Sequence, residues 1–320
     1  MSALLEGTSS DSLIAGFLVA LKMKGETAAE LAGFARAMRE RMIAVEAPPG
    51  VVDTCGTGGD GANTFNISTV AALVMAGAGA RVAKHGNRSL SSLTGSADVI
   101  EALGVRAAME PEEASRAIGE IGIGFLFAPR LHPAMKFAQP VRRALKLRTV
   151  FNLLGPLANP AGATRQLIGA PTREAARLMA EALTELGAAS AFVVHGAASG
   201  NVGLDEISIS GPTDAWRVTG NCIETYRWTP SDFGVAPAPL EALCGGDAAV
   251  NAQIAREVLS GERGPRRDIV LVNAAVGLVA AGIAGDFQTA MEAAADSIDS
   301  GRACAKLQAL QEAFPVGPRS

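Results

Sequence analysis

Up to residue 48 the apolar positions recur at helical spacing. Leu13, Ile14, Phe17, Leu18 and Leu21 fall on one side of a segment that Ser10 or Asp11 can cap. A second segment opens on Thr27-Ala-Ala-Glu30, a capping-box pattern, and carries Leu31, Phe34, Met38 and Met42 at the same period. Ala47-Pro48-Pro49-Gly50 then breaks the helical run and is the natural linker. From Val51 the period changes. The short β runs VVDTC, ARVAKH, GIGFLFA, RQLIGA and SAFVVHG alternate with helical stretches at 69–76, 97–103, 111–118, 133–145 and 172–186. Such alternation predicts an α/β domain with a mainly parallel sheet flanked by helices. After Glu206 the segment ISISGPTDAWRVTGNCIETYRW reads as strand, turn and strand. The chain returns to helix at 248–259, 268–281, 287–298 and 302–314. The pattern therefore divides into a small all-helical domain, 1–48, and an α/β domain, 49–320, with no internal repeat.

Composition narrows the class. Of 320 residues 48% are hydrophobic but only 4% aromatic, so the core must be packed with Ala, Val, Leu and Ile. A net charge of −4 argues against nucleic acid as a partner. Cys55, Cys222, Cys244 and Cys304 lie far apart, without the spacing of a disulfide framework or a zinc site. No basic-then-apolar leader opens the chain, and Gly or charge interrupts each apolar run before it could span a bilayer. A cytoplasmic protein without membrane contact is expected.

The distribution of charge says more than its total. No Asp or Glu occurs from Gly61 to Ala97, nor from Ile121 to Thr172. These acid-free windows hold Arg81, Lys84, Arg88, Arg130, Lys136, Arg142, Arg143, Lys146, Arg148 and Arg165. Cations concentrated in a mildly acidic chain favour a local anion site. Beside them lies the turn Gly56-Thr57-Gly58-Gly59-Asp60-Gly61, which formally fits a dinucleotide-binding glycine pattern. That reading requires an acid about 20 residues further on for the ribose, and no acid occurs between Asp60 and Asp98. The Walker pattern fails too, because no Gly-Lys-Ser/Thr follows. Asn66-Ile67-Ser68-Thr69 adds short polar side chains, with Ser68 suited to cap the next helix. The turn and this helix start predict a phosphate or pyrophosphate cradle.

GTGGD, NIST and KHGNRS, in this order and spacing, resemble the anthranilate phosphoribosyltransferases. GSADVIEALGV, GFLFAPRLHPAMKFAQPVRRAL, RTVFNLLGPLANPAG and GLDEIS extend the match from about Leu18 to Glu206. The resemblance implies the nucleoside phosphorylase/phosphoribosyltransferase fold, its helical domain completed by helices within about 131–158. It implies transfer of the phosphoribosyl group of phosphoribosyl pyrophosphate to the amine of anthranilate, in tryptophan biosynthesis. By the same resemblance Gly56, Thr57, Gly58, Gly59, Asp60, Thr64, Asn66, Ser68, Thr69, Lys84, Asn87 and Ser96 bind the donor. Gly56, His85, Asn87, Ala128, Pro129, His132 and Arg142 surround anthranilate, with Arg142 on its carboxylate. Ser68, Asp205 and Glu206 hold one or two Mg2+ ions, and a homodimer is implied.

The residue types suit that chemistry in their own right. Displacement at the ribose C1 builds negative charge on departing pyrophosphate, which backbone N–H groups, Lys84 and a hard cation on carboxylate oxygens can stabilise. The nucleophile is the substrate's amine, so none is needed from the protein. His195 reads as structural, and Arg143 and Arg148 as solvent-facing or structural. A nucleoside phosphorylase and a silent nucleic-acid-binding relative are the alternatives. The KHGN and HPAM…PVR segments oppose the first, and the intact GTGGD and Asp205-Glu206 oppose the second.

The chain departs from the family pattern in four places. Family members carry about one further helix ahead of FLVALKMKGET, and those N-terminal helices help form the dimer. HGAASGNVGLDE is longer than the usual connection, its Gly, Ser and Asn favouring an outward bulge. Lys146 replaces a glycine that would ease a helix end, and Leu93 stands where a basic residue is common.

Overall fold

The computed structural model describes residues 1–88, 93–198 and 202–317. Its eight strands are β1 (Val52–Gly56), β2 (Val82–Gly86), β3 (Ile123–Phe127), β4 (Arg165–Gly169), β5 (Ser190–Ala197), β6 (Gly203–Leu204), β7 (Thr213–Thr219) and β8 (Cys222–Trp228). They form one sheet in the order β3-β2-β1-β4-β5-β7-β8, with β6 on β5. The first five strands pair in parallel, and β6, β7 and β8 add antiparallel pairings. The five apolar runs are thus the parallel strands, shifted by a residue or two, and the segment after Glu206 is a hairpin.

Strand order fixes where a ligand can bind. The chain moves outward from β1 to β2 and β3, then returns to the other side of β1 as β4. Connections leaving the carboxyl ends of β1 and β4 therefore diverge, opening a crevice above them. The helix Ile67–Gly77 begins in that crevice and is buried along almost all its length. An apolar sequence on every side, as in VAALVMAG, suits only such a position. Pro265–Ala281 and Arg302–Ala313 cover it from outside.

A second layer builds the opposite wall. Helices Asp11–Lys24 and Ala28–Arg39 pack on Gln139–Leu145 and Phe151–Leu157. Ile14, Leu18, Leu31, Val141 and Leu154 share one core with Ile168 and Val193 on a face of the sheet and with Met179 of the helix Arg173–Glu185. The Thr27 capping box forms as predicted: Glu30 N–H donates to Thr27 Oγ1 at 3.2 Å and Thr27 N–H to Glu30 Oε2 at 3.0 Å. The helix expected over 133–145 does not run through. A 3-10 turn, Pro133–Phe137, precedes a separate helix, Gln139–Leu145. Pro140 lacks the N–H that a continuous helix needs and is tolerated only in a first turn. Likewise the stretch from Pro111 becomes a helix to Arg116 and then a π turn, Ala117–Ile121.

Lys146 closes Gln139–Leu145 in the left-handed conformation, at φ 51°. A side chain there carries strain that glycine escapes. Lys146→Gly is therefore expected to stabilise the fold by about 0.5–1 kcal/mol. Thermal melting checks this, and a lower Tm for the glycine variant would show that the Lys146 side chain contributes more than its backbone costs.

Candidate active site

The crevice above β1 and β4 holds a cavity of about 410 Å³. Every residue assigned from the sequence lines it, from Gly56–Asp60 to Arg142 and the Asp205–Glu206 pair. The sheet side supplies the glycine turn, the helix start, Lys84 and the acids. The helical layer supplies Met38, His132, Arg142 and Phe151.

On the sheet side the acids organise the geometry. Asp205 and Glu206 follow β6 and lie against the carboxyl ends of neighbouring strands, where the sequence places glycine. Gly56 on β1 and Gly169 on β4 are register partners. A methyl group on Gly169 would fall on the Asp205 carbonyl, and one on Gly56 on the Asp205 carboxylate. Gly196 on β5 similarly makes room for the Glu206 carbonyl. Glycine is required here for close approach, because any side chain would lift the acids off the sheet. No sequence motif marks Gly169 or Gly196, although each ends a β run as a lone glycine.

The glycine turn then folds over the acids. Gly58, Gly59 and Gly61 have φ of 70°, 73° and 79°, a conformation that excludes most residues. Gly58 N–H donates to Asp205 Oδ2 at 2.6 Å, and Asp205 N–H to Asp60 Oδ2 at 3.2 Å. Ser68 N–H, in the first turn of Ile67–Gly77, donates to Glu206 Oε1 at 3.1 Å. The N-cap is Asn66 rather than Ser68, because Asn66 is the last residue outside helical geometry. Its side chain turns instead to the Thr94 carbonyl and to Asn251. Asn251 lines the cavity from a helix 185 positions away in sequence, and no local pattern announces it.

Lys84 is 1% exposed and gives its Nζ to the Thr54 carbonyl at 2.7 Å and to Ser68 Oγ at 3.4 Å. Asp53 and Glu206 supply opposing charge. Burial raises the Asp53 carboxyl above its usual range, with Lys84 and the Asn159 amide pulling back. Asp53 also accepts the His85 N–H at 3.1 Å, so it ties β1 to β2 just below the cavity. Nothing in the sequence pattern marks it for that part. Burial pushes the Asp205 carboxyl up to about 7, with the Asp60 charge adding to the shift. Glu206 is raised well above normal by burial and then by Asp205, with Lys84 opposing.

The remaining cations divide between site and surface. Arg88 pairs with Asp98 and Glu101, and Arg130 with Glu110, so neither is a free anion receptor. Arg148, expected to be structural or solvent-facing, donates from Nη2 to the Gly58 carbonyl at 2.8 Å and so binds the glycine turn to the helical layer. Arg142 lies over the Phe151 ring at 5.2 Å, and no carboxylate among the described residues pairs with it. Burial draws its guanidinium below the usual arginine range. Asn87 spends its side-chain oxygen on the Arg88 N–H, while its carbonyl accepts from Ser96. Thr64 bridges to Cys244 at the cavity edge. Leu93 is 75% exposed at the rim. The longer connection before the acids reaches residues 199–201, outside the described residues. Its flanks are paired, Ala197 with Gly203 and the Ala198 N–H with the Val202 carbonyl. Asp205 lines the cavity beyond that pairing.

His85 and His132 meet at Nε2···Nε2 3.2 Å. His85 Nδ1 faces the Gly155 carbonyl at 3.0 Å, and a carbonyl only accepts. Nδ1 therefore carries the His85 proton and its Nε2 faces His132 as an acceptor, while the His132 ring is also bonded to the Ala158 carbonyl. Burial, then His132, lowers His85 to about 3; burial lowers His132 to about 4.

Two family models match the chain, the glycosyl transferase family a/b domain over residues 48–304 and its helical bundle domain over 1–42. The anthranilate phosphoribosyltransferase of Solibacter usitatus is 58% identical, covering 98% of this chain and 92% of its own length. That of Thermus thermophilus superimposes with a TM-score of 0.91 at 44% identity, covering 98% of this chain and 92% of its own. The chain belongs to the anthranilate phosphoribosyltransferase family. A Saccharomyces cerevisiae member of the family, in complex with PRPP and Mg, matches with a TM-score of 0.87 at 30% identity over 98% of this chain and 90% of its own. Among the described residues no helix is long and apolar enough to cross a membrane, and no three His, Cys, Asp or Glu side chains gather as a ready-made metal site.

The histidine pair gives a test. A depressed imidazole pKa contributes stability that is present above about 6.5 and is lost as pH falls toward 3–4. Proton NMR is expected to show His85 and His132 uncharged down to about pH 5. A midpoint near 6.5 for either ring would contradict the buried, neutral pair.

Proposed function

We propose that this chain transfers the phosphoribosyl group of phosphoribosyl pyrophosphate to the amine of anthranilate, giving N-(5-phosphoribosyl)anthranilate and pyrophosphate in tryptophan biosynthesis. One observation carries the reading. A single cavity joins an anion cradle on the sheet side to an arginine on the helical side that lacks a carboxylate partner. Yeast relatives bound to PRPP and Mg, and to 4-fluoroanthranilate, support both halves.

In this reading the glycine turn, Asp60, Thr64, Asn66, Ser68, Thr69, Lys84 and Ser96 surround the donor. Thr69 Oγ1 is buried without a hydrogen-bond partner, an orphan that a phosphate oxygen would satisfy. Anthranilate lies among His85, Ala128, Pro129, His132 and Arg142, its carboxylate meeting the planar guanidinium in two parallel contacts. Asn87 and Gly56 stand between the two substrates. The helices within 131–158 complete the helical domain and carry this acceptor side.

The residues fit magnesium. Asp205, Glu206 and the Ser68 hydroxyl offer hard oxygen donors, and Lys84, which opposes the Glu206 charge, also serves Asp53. Phosphate oxygens of the donor would complete such a shell, which accounts for the lack of a full protein cage among the described residues. When bound, the ion would neutralise charge on the pyrophosphate. Lys84 and the glycine turn line the same cavity and would stabilise the leaving group as the C1–O bond breaks. The His85 and His132 rings are bonded to the Gly155 and Ala158 carbonyls, and the aniline nitrogen attacks without a protein nucleophile. Holding amine and C1 in line is then the main source of rate.

Mixing protein, phosphoribosyl pyrophosphate, Mg2+ and anthranilate should extinguish anthranilate fluorescence; a steady signal would sink the proposal. Arg142→Ala should raise the anthranilate KM by about 10- to 100-fold, the worth of a charge-assisted pair, with the KM for the donor little changed. An unaltered anthranilate KM would remove Arg142 from the carboxylate.

A further inference from the structure

The helix Pro265–Ala281 lines no part of the cavity, yet one of its side chains reaches the backbone that bears the acids. Asn273 is 0% exposed and lies in the apolar run VLVNAAVGLVAA. Its Oδ1 accepts the Ile207 N–H at 2.9 Å, and its Nδ2 donates to the Ile207 carbonyl at 3.0 Å and to the Ile269 carbonyl at 2.9 Å. Both amide hydrogens and the amide oxygen are thus engaged, which locks the side chain. Ile207 directly follows Glu206, in irregular backbone outside the strands. The Asn273 amide gives that residue the paired donor and acceptor that a neighbouring strand would otherwise supply.

An amide in the middle of a buried apolar helix is costly unless fully bonded. Two of its three bonds go to Ile207. Glycines at the strand ends support the acids from one side, and the Asn273 amide fixes the following peptide from another. Asp205 and Glu206 are neighbours in irregular backbone, so a loop free to shift would change the spacing of their carboxylates.

We infer that Asn273 is a positioning residue: it fixes the peptide after Glu206 so that the two carboxylates are held at the spacing a divalent cation requires. This rests on the reading of Asp205 and Glu206 as the cation-holding acids. Outer partners of metal ligands typically tune affinity 10- to 100-fold without touching the ion.

The test is Mn2+ binding to the full enzyme with phosphoribosyl pyrophosphate, followed by electron paramagnetic resonance, for Asn273→Ala and Asn273→Asp. Both variants should bind Mn2+ at least about 10-fold more weakly, and half-saturation of turnover by Mg2+ should rise in parallel. The anthranilate KM should stay within about 2-fold, since nothing on the acceptor side is altered. If Asn273→Ala does not fold, Asn273→Asp, similar in size and still able to accept from Ile207, carries the test. A folded variant with wild-type Mn2+ affinity would overturn the inference. So would one whose anthranilate KM deteriorates as much as its metal affinity, the mark of general loosening. Asp205→Ala/Glu206→Ala distinguishes the metal site itself from its support by Asn273. If it too binds Mn2+ normally, the metal reading itself fails; if it loses Mn2+ while the Asn273 variants retain it, only the role of Asn273 fails.

Discussion

Two carboxylates held side by side away from water repel each other and lack the solvation that would make their charge cheap. Glu206, buried, and Asp205, half-buried beside it, approach that position, and much of the surrounding architecture serves to keep them there. Gly56, Gly169 and Gly196 surrender their side chains so that the acids can lie on the sheet. Gly58 and Ser68 turn backbone N–H groups toward the carboxylates, and Lys84 is buried between Glu206 and Asp53. The sheet order matters for the same reason, since the divergence of the chain beside β1 opens the space they face.

Such a site is unfinished on its own. Raised carboxyl pKa values mean that the folded protein would sooner protonate these groups than hold them as anions. On the proposed function a cation and a pyrophosphate would supply what is missing, with the protein providing part of the ion's shell. Arg142 is the counterpart on the helical side, a half-buried cation over Phe151 that pairs with no carboxylate of the described chain. Each wall is charged in a way that the matching substrate corrects. Arg148 joins the walls by holding the Gly58 carbonyl from the helical layer, so donor and acceptor sides are not mechanically independent.

Much of this is legible in the order of residues. The parallel strands announce themselves as apolar runs, and the gap between Asp60 and Asp98 rules out a dinucleotide turn before any geometry is known. Local chemistry is the readable part. The cap of the buried helix falls on Asn66 and not on Ser68, because both are good capping residues and only backbone angles separate them. Arg88 looks like a free cation in sequence, but its partners Asp98 and Glu101 stand just beyond the acid-free window. What stays hidden depends on distance along the chain. Asn251 meets Asn66 only after the sheet has folded. Gly169 and Gly196 become necessary only when Asp205 and Glu206 are laid over them, and a lone glycine at a strand end would serve an ordinary tight turn equally well. Asp53, in the first β run, reads as a polar interruption until the His85 amide and Asn159 close on it.

The fold maintains a neighbouring pair of acids whose charge Lys84 offsets only in part, for the sake of its ligands. Carboxyl groups whose pKa is raised contribute stability at pH below about 4, and that contribution is lost as pH rises through the folded value, about 7 for Asp205. Asp205→Asn/Glu206→Gln keeps both acceptors for Gly58 and Ser68 and removes the charge. Calorimetric melting at pH 8 in metal-free buffer measures the difference directly. The account predicts a higher Tm for the neutral variant than for the wild type, together with loss of the stabilisation that Mg2+ and phosphoribosyl pyrophosphate confer. A lower Tm for the variant, or an undiminished response to the ligands, would contradict it.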